Sequence, residues 1–369
     1  MRVLIAPDKF AGTLNAVEAA HAIAAGWADR APDDELHIAP MADGGPGFVS
    51  VLHEALGGEL MAVTVRGPQG APTPVTLLRH EDTAYIESAQ ACGLHLVDAA
   101  PPRPLRSSTY GVGEAIASAV DDGARRVVVG LGGSATNDGG AGMLAALGAE
   151  SDADLDGGVD GLAGVSRVGI DAVRRRLDGV ALTMACDVDS VLLGMFGATK
   201  TFGPQKGIDE ADIPRVDALL DRFVVAACGS TPADRRVADS PGAGAAGGLG
   251  FGLLLAGASR RSGIELVAEA VDLSSHARNC DVVVSGEGAY DFSSRSGKVV
   301  YGVSQIAAEA LRPCVVIAGR VLVGAREMRA MGIESAYAMV DMVGEDASFA
   351  DPAGSLRTVA ARVARTWSR

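Results

Sequence analysis

The hydrophobic pattern opens with a short apolar run over residues 2–6 that stops at Pro7-Asp8, as a buried strand does. Apolar residues then recur at helical spacing over 16–27. Thr13 or Asn15 is placed to cap that helix, and Glu18 falls in its first turn. Residues 37–42 read as a second strand ending in Asp43-Gly44-Gly45-Pro46-Gly47. Residues 48–56 read as a helix stopped by Gly57-Gly58. This alternation of strand and helix predicts a parallel sheet.

Near residue 60 the pattern changes. Residues 60–66, 74–80 and 84–88 are strand-length runs separated by Gly67-Pro68-Gln69-Gly70 and Glu81-Asp82, the signature of an antiparallel meander. Pro101-Pro102-Arg103-Pro104 is a stiff connector. A helix over 110–121 and a Val-rich strand over 126–130 restore the alternation. Residues 152–164, acidic and Gly-rich, read as an exposed loop, and 180–186 as a strand. A Gly/Ala segment over 237–252 enters a helix. Strands over 281–285 and 314–318 flank a helix over 299–311, and an amphipathic helix over 355–367 follows.

At 369 residues the chain is long enough for about two domains. It is 48% hydrophobic and 21% charged, which a packed core accommodates. The net charge of −14 argues against a nucleic-acid backbone or an anionic membrane as the main partner, and leaves small-molecule ligands. Cys92, Cys186, Cys228, Cys280 and Cys314 form no CxxC pair, the usage of a reduced, cytoplasmic chain. Neither a secretory leader pattern nor an apolar run approaching the ~20 residues of a membrane span is expected. The oligomeric state is not legible.

Polar residues gather beside glycines in five segments, each at a predicted strand end, where open α/β sheets bind ligands. They are Ala6-Pro7-Asp8-Lys9-Phe10; Asp43-Gly44-Gly45; the run from Gly130 through Gly132, Gly133, Ser134, Ala135, Thr136, Asn137 and Asp138 to Gly140; Cys186-Asp187-Val188-Asp189 with Phe202-Gly203-Pro204-Gln205-Lys206-Gly207; and Gly286-Glu287-Gly288 with Asp291, Gly297 and Lys298. The third has the composition of a phosphate cradle: successive N–H groups and two hydroxyls between a strand and a helix. Gly130-x-Gly132-x-x-Ala135 and Gly242-x-Gly244-x-x-Gly247 also fit a loose dinucleotide fingerprint, which alone is weak, and no Walker A string occurs. Carboxylates at strand ends can take a hydroxyl proton or hold Mg²⁺. The lysines can neutralise phosphate or carboxylate. The six histidines form no ligand pair, so no transition-metal site is expected, and no GxSxG elbow is present. The set suits phosphoryl transfer, and equally the binding of a phosphorylated metabolite without chemistry.

In this order, the segments Ile5-Ala6-Pro7-Asp8, Ala42-Asp43-Gly44-Gly45, Ser108-Thr109-Tyr110-Gly111, Gly132 to Met143, Cys186-Asp187-Val188, Phe202 to Gly207, Pro241 to Gly248 and Gly286-Glu287-Gly288 resemble the bacterial glycerate kinase family over nearly the whole chain. The resemblance implies two α/β domains. One is Rossmann-like with a parallel sheet, residues 1–60 plus 265–369. The other is a smaller mixed-sheet domain inserted over 61–264, with the active site in the cleft between them. It implies transfer of the ATP γ-phosphoryl group to a hydroxyl of D-glycerate with Mg²⁺, giving 2-phosphoglycerate, the 3-phospho product staying open. Under it, Gly132, Gly133, Ser134, Thr136, Asn137 and Asp138 would hold ATP. Asp187, with Asp189 next, would be base or Mg²⁺ ligand, and Lys206 would neutralise charge. Asp8, Lys9, Asp43, Glu287, Asp291, Lys298 and Arg320 would orient the acceptor. Ala11, Pro46, Ser190, Ser293 and Ser296 depart from the family's usual residues, which keeps open a member that binds these ligands but turns over slowly. The GxGxxG strings keep open a nicotinamide-dependent dehydrogenase.

Overall fold

The structure is a computed structural model that describes residues 1–97, 104–291 and 299–368. In chain order its strands are β1 (Arg2–Ile5), β2 (Glu35–Ile38), β3 (Glu59–Arg66), β4 (Pro72–His80), β5 (Thr83–Glu87), β6 (Arg126–Gly130), β7 (Glu150–Ser151), β8 (Val168–Gly169), β9 (Ala181–Ala185), β10 (Ser259–Arg261), β11 (Val282–Tyr290), β12 (Cys314–Val321) and β13 (Ile333–Ala338). The chain divides into two compact units. One comprises Met1–Asp43, Ser50–Gly57 and Gly263–Arg369, the other Gly44–Val49 and Gly58–Ser262.

The first unit is built on a five-stranded sheet in the order β13-β12-β11-β1-β2, parallel throughout. Strands buried on both faces must be apolar at every position. Val3, Leu4 and Ile5, Val282 to Val284 and Val315 to Ile317 meet that demand, all within 1% exposure. The helix Ala16–Arg30 starts at Asn15, whose side chain accepts from Glu18 N while Glu18 returns a carboxylate to Asn15 N. It packs on the helix Pro352–Trp367 so closely that a Cβ at Gly26 would overlap the Arg357 carbonyl. Trp27, Ile23, Leu356, Val359 and Val363 fill that interface, each buried side chain contributing about 1.5–3 kcal/mol.

From β1 the chain moves to β2 on one side, and later enters β11, β12 and β13 on the other. The switch therefore falls between β1 and β11. Past the end of β1, Ala6 N donates to Val284 O and Asp8 N to Gly286 O, so Asp8 is carried along β11. β11 runs beyond the predicted end at 285, because its pairing with β12 continues to Ala289 opposite Arg320 and Tyr290 opposite Val321. Gly286-Glu287-Gly288 is thus strand, not loop. β2 lies earlier than predicted because β1, its partner, ends before Pro7.

The second unit carries a six-stranded mixed sheet, β10-β9-β6-β5-β4-β3. β3, β4 and β5 form the expected antiparallel meander, and β5, β6, β9 and β10 are parallel. This unit takes the longer stretch of chain and is not the smaller one. It also holds the two-stranded β7-β8 sheet and the 16-residue helix Ile213–Cys228, which the pattern reading left unassigned. Residues 152–164 are not an exposed loop either. Leu155, Val159 and Leu162, at helical spacing, are buried in the core around the turn Gly158–Gly161.

Candidate active site

In the second unit, β6 delivers the chain into residues 131–140, and the helix Ala141–Ala146 leaves it. Gly133, Gly139 and Gly140 adopt φ of 65°, 68° and 77°, the left-handed region that glycine tolerates at little cost. The loop folds around two buried charges. Asp138 is wholly buried. It accepts from Thr109 N and Oγ1 at 2.8 Å each, Gly140 N at 3.0 Å and Gly142 N at 3.2 Å. Burial pushes its carboxyl above the ordinary range, against the pull of those donors. Asp138 thereby fixes the start of the following helix and ties it to Thr109.

The second charge is Lys206. Its turn, Pro204–Lys206, ends at Gly207 in the left-handed region. The ammonium is buried and donates to Ser134 Oγ at 2.9 Å and Thr136 O at 2.6 Å. Burial pushes its pKa down to about 8. Among the described residues no carboxylate forms an ion pair with it. Asn137 donates from Nδ2 to Thr199 Oγ1 at 2.9 Å, while its buried Oδ1 has no partner among the described residues. A buried ammonium with two neutral acceptors, beside a glycine loop, has the chemistry that suits an anion.

The second Gly-rich string has another role. Ala246, Gly247 and Gly248 are left-handed, and Gly139 N donates to Gly247 O. A Cβ at Gly247 would overlap the Thr136 carbonyl. Gly242-x-Gly244-x-x-Gly247 is therefore occupied by packing against the 136–140 loop. That removes the observation on which a nicotinamide site there rested.

Asp187 stands just past β9, half-buried, and accepts from Ser262 Oγ at 2.6 Å. Asp189 is mostly exposed and pairs with Arg260 at 2.8 Å. Arg260 also donates to the carbonyls of Cys186 and Val188 and so holds the 186–189 turn. Arg260 and Ser262 were missed by the sequence reading. Their strand, β10, is three residues long, too short for a period, and is recognisable only by its pairing with β9. Gly132 follows β6, where a Cβ would meet Gly45 Cα at 2.8 Å.

In the first unit, Asp8, Lys9 and Asp43 come together. Lys9 Nζ lies 3.5 Å from Asp8 Oδ1 and 3.6 Å from Asp43 Oδ1, and Lys9 N donates to Asp8 Oδ1 at 2.7 Å. Burial lifts Asp8 to about 6, with Asp43 adding to the lift and Lys9 opposing it. Burial also works against the Lys9 charge, but Asp43 and Asp8 outweigh it and hold its pKa above the ordinary value. Glu287, on β11, is buried, and Asp291 follows that strand. Arg320, on β12, pairs with Glu345. Lys298, Ser293 and Ser296 lie outside the described residues.

Among the described residues no group of three or more His, Cys, Asp or Glu side chains is placed to hold a metal ion. Mg²⁺ needs no such group. It takes one or two carboxylates and completes its shell with phosphate oxygens and water. Asp187, an oxygen donor at a strand end, fits that chemistry. No helix among the described residues is long and apolar enough to cross a membrane.

Comparison with known proteins supplies a family. The glycerate kinase family model matches residues 3–368. A glycerate kinase from Bacillus subtilis is 39% identical, over 92% of this chain and 90% of its own. A glycerate 2-kinase from Escherichia coli is 38% identical, over 93% and 92%. A crystal structure from Salmonella typhimurium LT2, provisionally named glycerate kinase 2, superposes with a TM-score of 0.81 at 36% identity, covering 99% of this chain and 98% of that one. With a matching family model over almost its whole length and relatives well above 30% identity, this chain belongs to the glycerate kinase family.

Proposed function

We propose that the protein transfers the γ-phosphoryl group of ATP to a hydroxyl of D-glycerate, with Mg²⁺, and that the product is 2-phosphoglycerate. The observation that carries this reading is the buried Lys206 ammonium, held on Ser134 and Thr136 with no carboxylate partner among the described residues. A charge kept in that setting is costly unless an anion arrives to meet it. A phosphate group is such an anion, and both named relatives are kinases by name.

Phosphoryl transfer is catalysed mainly by positioning and by neutralising spreading charge. On this reading Lys206 and the N–H groups of the 132–136 loop hold phosphate oxygens. Asp187, oriented by Ser262, takes the proton of the attacking hydroxyl or stands beside the metal, and Arg260 keeps its turn in place. Mg²⁺, when bound, would draw charge from the phosphate oxygens. Asp8, Asp43, Glu287 and Asp291 accept from the acceptor's hydroxyls, and Lys9 meets its carboxylate.

The test is ADP release with Mg²⁺-ATP and D-glycerate, with L-glycerate, erythronate and no acceptor as controls. Enolase added without a mutase reads 2-phosphoglycerate directly. Turnover that requires D-glycerate and feeds enolase is expected. ATP binding without acceptor-dependent ADP release would refute the kinase reading. ADP release that enolase cannot follow would refute the product.

A further inference from the structure

At the carboxyl ends of β11 and β12, beside the loop that follows β1, the first unit contains a cavity of about 230 Å³ that no step above uses. Phe10, Ala11, Met339, Val340 and Phe349 line it, and Arg320 stands among them. Its floor is backbone. Gly288 and Gly319 sit side by side at the carboxyl ends of β11 and β12. A Cβ on Gly288 would come within 3.0 Å of Ala11 N, and one on Gly319 would overlap the Gly288 carbonyl. Backbone therefore already fills the space a side chain would need at either glycine. Phe349, in the same lining, is 60% exposed, a large aromatic surface left in water.

We propose that this cavity binds the purine base of the nucleotide. The inference rests on the kinase reading and deepens it. Of the two substrates, glycerate carries an oxygen on every carbon and has no apolar surface to lay against Phe10, Val340 and Phe349. The purine is flat, weakly hydrated and aromatic, and is the part of either substrate that such walls favour. The size agrees. An apolar cavity of about 150 Å³ takes a benzene ring, and a bicyclic base needs proportionally more. The position agrees as well, because the cavity lies outside strand carboxyl ends, next to the switch, where open parallel sheets bind ligands. Arg320 adds a planar cation able to stack on the ring from the rim.

Calorimetry on the full-length protein, comparing ATP with inorganic tripolyphosphate, tests this. The variants are Phe349→Ala, which removes an exposed wall, and Ala11→Phe, which fills the cavity from an exposed position. Each is expected to weaken ATP about tenfold while leaving tripolyphosphate affinity and the KM for D-glycerate unchanged. Unchanged ATP affinity in both variants would overturn the assignment. So would a raised glycerate KM with ATP affinity intact, which would make the cavity part of the acceptor site. If the unaltered protein shows no glycerate-dependent ADP release but its ATP affinity responds to both variants, the kinase reading fails and the base pocket stands.

Discussion

Replacing Lys206 with methionine separates a functional charge from a structural strut. Its ammonium is pushed from the ordinary lysine value, near 10.5, down to about 8 by burial. Below pH 8 the side chain is protonated in both folded and unfolded chains. The difference of about 2.5 units then corresponds to about 3 kcal/mol of destabilisation. Methionine has similar length and removes that cost. It also leaves the Ser134 hydroxyl and the Thr136 carbonyl without their donor, at about 1–3 kcal/mol each. At pH 7 the variant should therefore lie between about 1 kcal/mol more stable and about 3 kcal/mol less stable than the parent. Between pH 8 and 10.5 the folded parent loses the proton before the unfolded chain does, so parental stability rises by about 3 kcal/mol. The variant lacks that rise, so the difference between the two should move in the parent's favour by about 3 kcal/mol over this range. Urea midpoints at pH 7 and pH 10 measure this. In parallel, ATP at a hundred times its Kd should raise the parent's stability by about 2.7 kcal/mol and the variant's by far less. A loss above about 3 kcal/mol at pH 7, or equal protection of both proteins by ATP, would refute the assignment of Lys206 as an anion-binding charge.

The other expectations concern residues of both units. Asp187→Asn should fold normally and lose about 10²–10⁴-fold in kcat; full turnover in the ADP-release assay would remove Asp187 from the chemistry. Asp138→Asn turns two amide hydrogens toward groups that already donate, and thermal unfolding should show a loss of about 2–4 kcal/mol before any effect on catalysis is considered. Asp8, lifted to about 6, keeps its proton in the folded state above pH 3.8, where the unfolded chain has released it. Its contribution is therefore greatest below pH 3.8 and falls by about 3 kcal/mol as pH rises through 6; Asp8→Asn should flatten that part of the urea-stability profile relative to the parent. Gly247→Ala meets both a left-handed backbone and the Thr136 carbonyl, and should cost at least about 3 kcal/mol by displacing the 136–140 loop; circular dichroism melts would register it.

The local chemistry of the chain was enough to place several elements. The helices Phe48–Leu56 and Tyr110–Asp121 and the strand Arg126–Gly130 lie where apolar spacing put them, and Asn15 with Glu18 caps the first helix as those residue types do. The resemblance, carried by strings such as Gly132 to Met143, was legible for the same reason: it consists of contiguous residues. What the sequence could not supply is whatever depends on distant partners. Lys206 looks like a solvated lysine until Ser134, 72 positions earlier, is seen to accept from it in a buried setting. Asp138 reads as a ligand until Thr109 and the next helix are found to occupy it. Arg260 and Ser262 gain meaning only because β10 lies beside β9. β11 outruns its apolar stretch because β12 goes on pairing with it. Hydrophobic periodicity is a property of neighbouring residues, so the sequence determined the elements and the family. Desolvation, ion pairing and the cavity at the ends of β11 and β12 are sums over everything packed around a group, and these the tertiary structure alone decided.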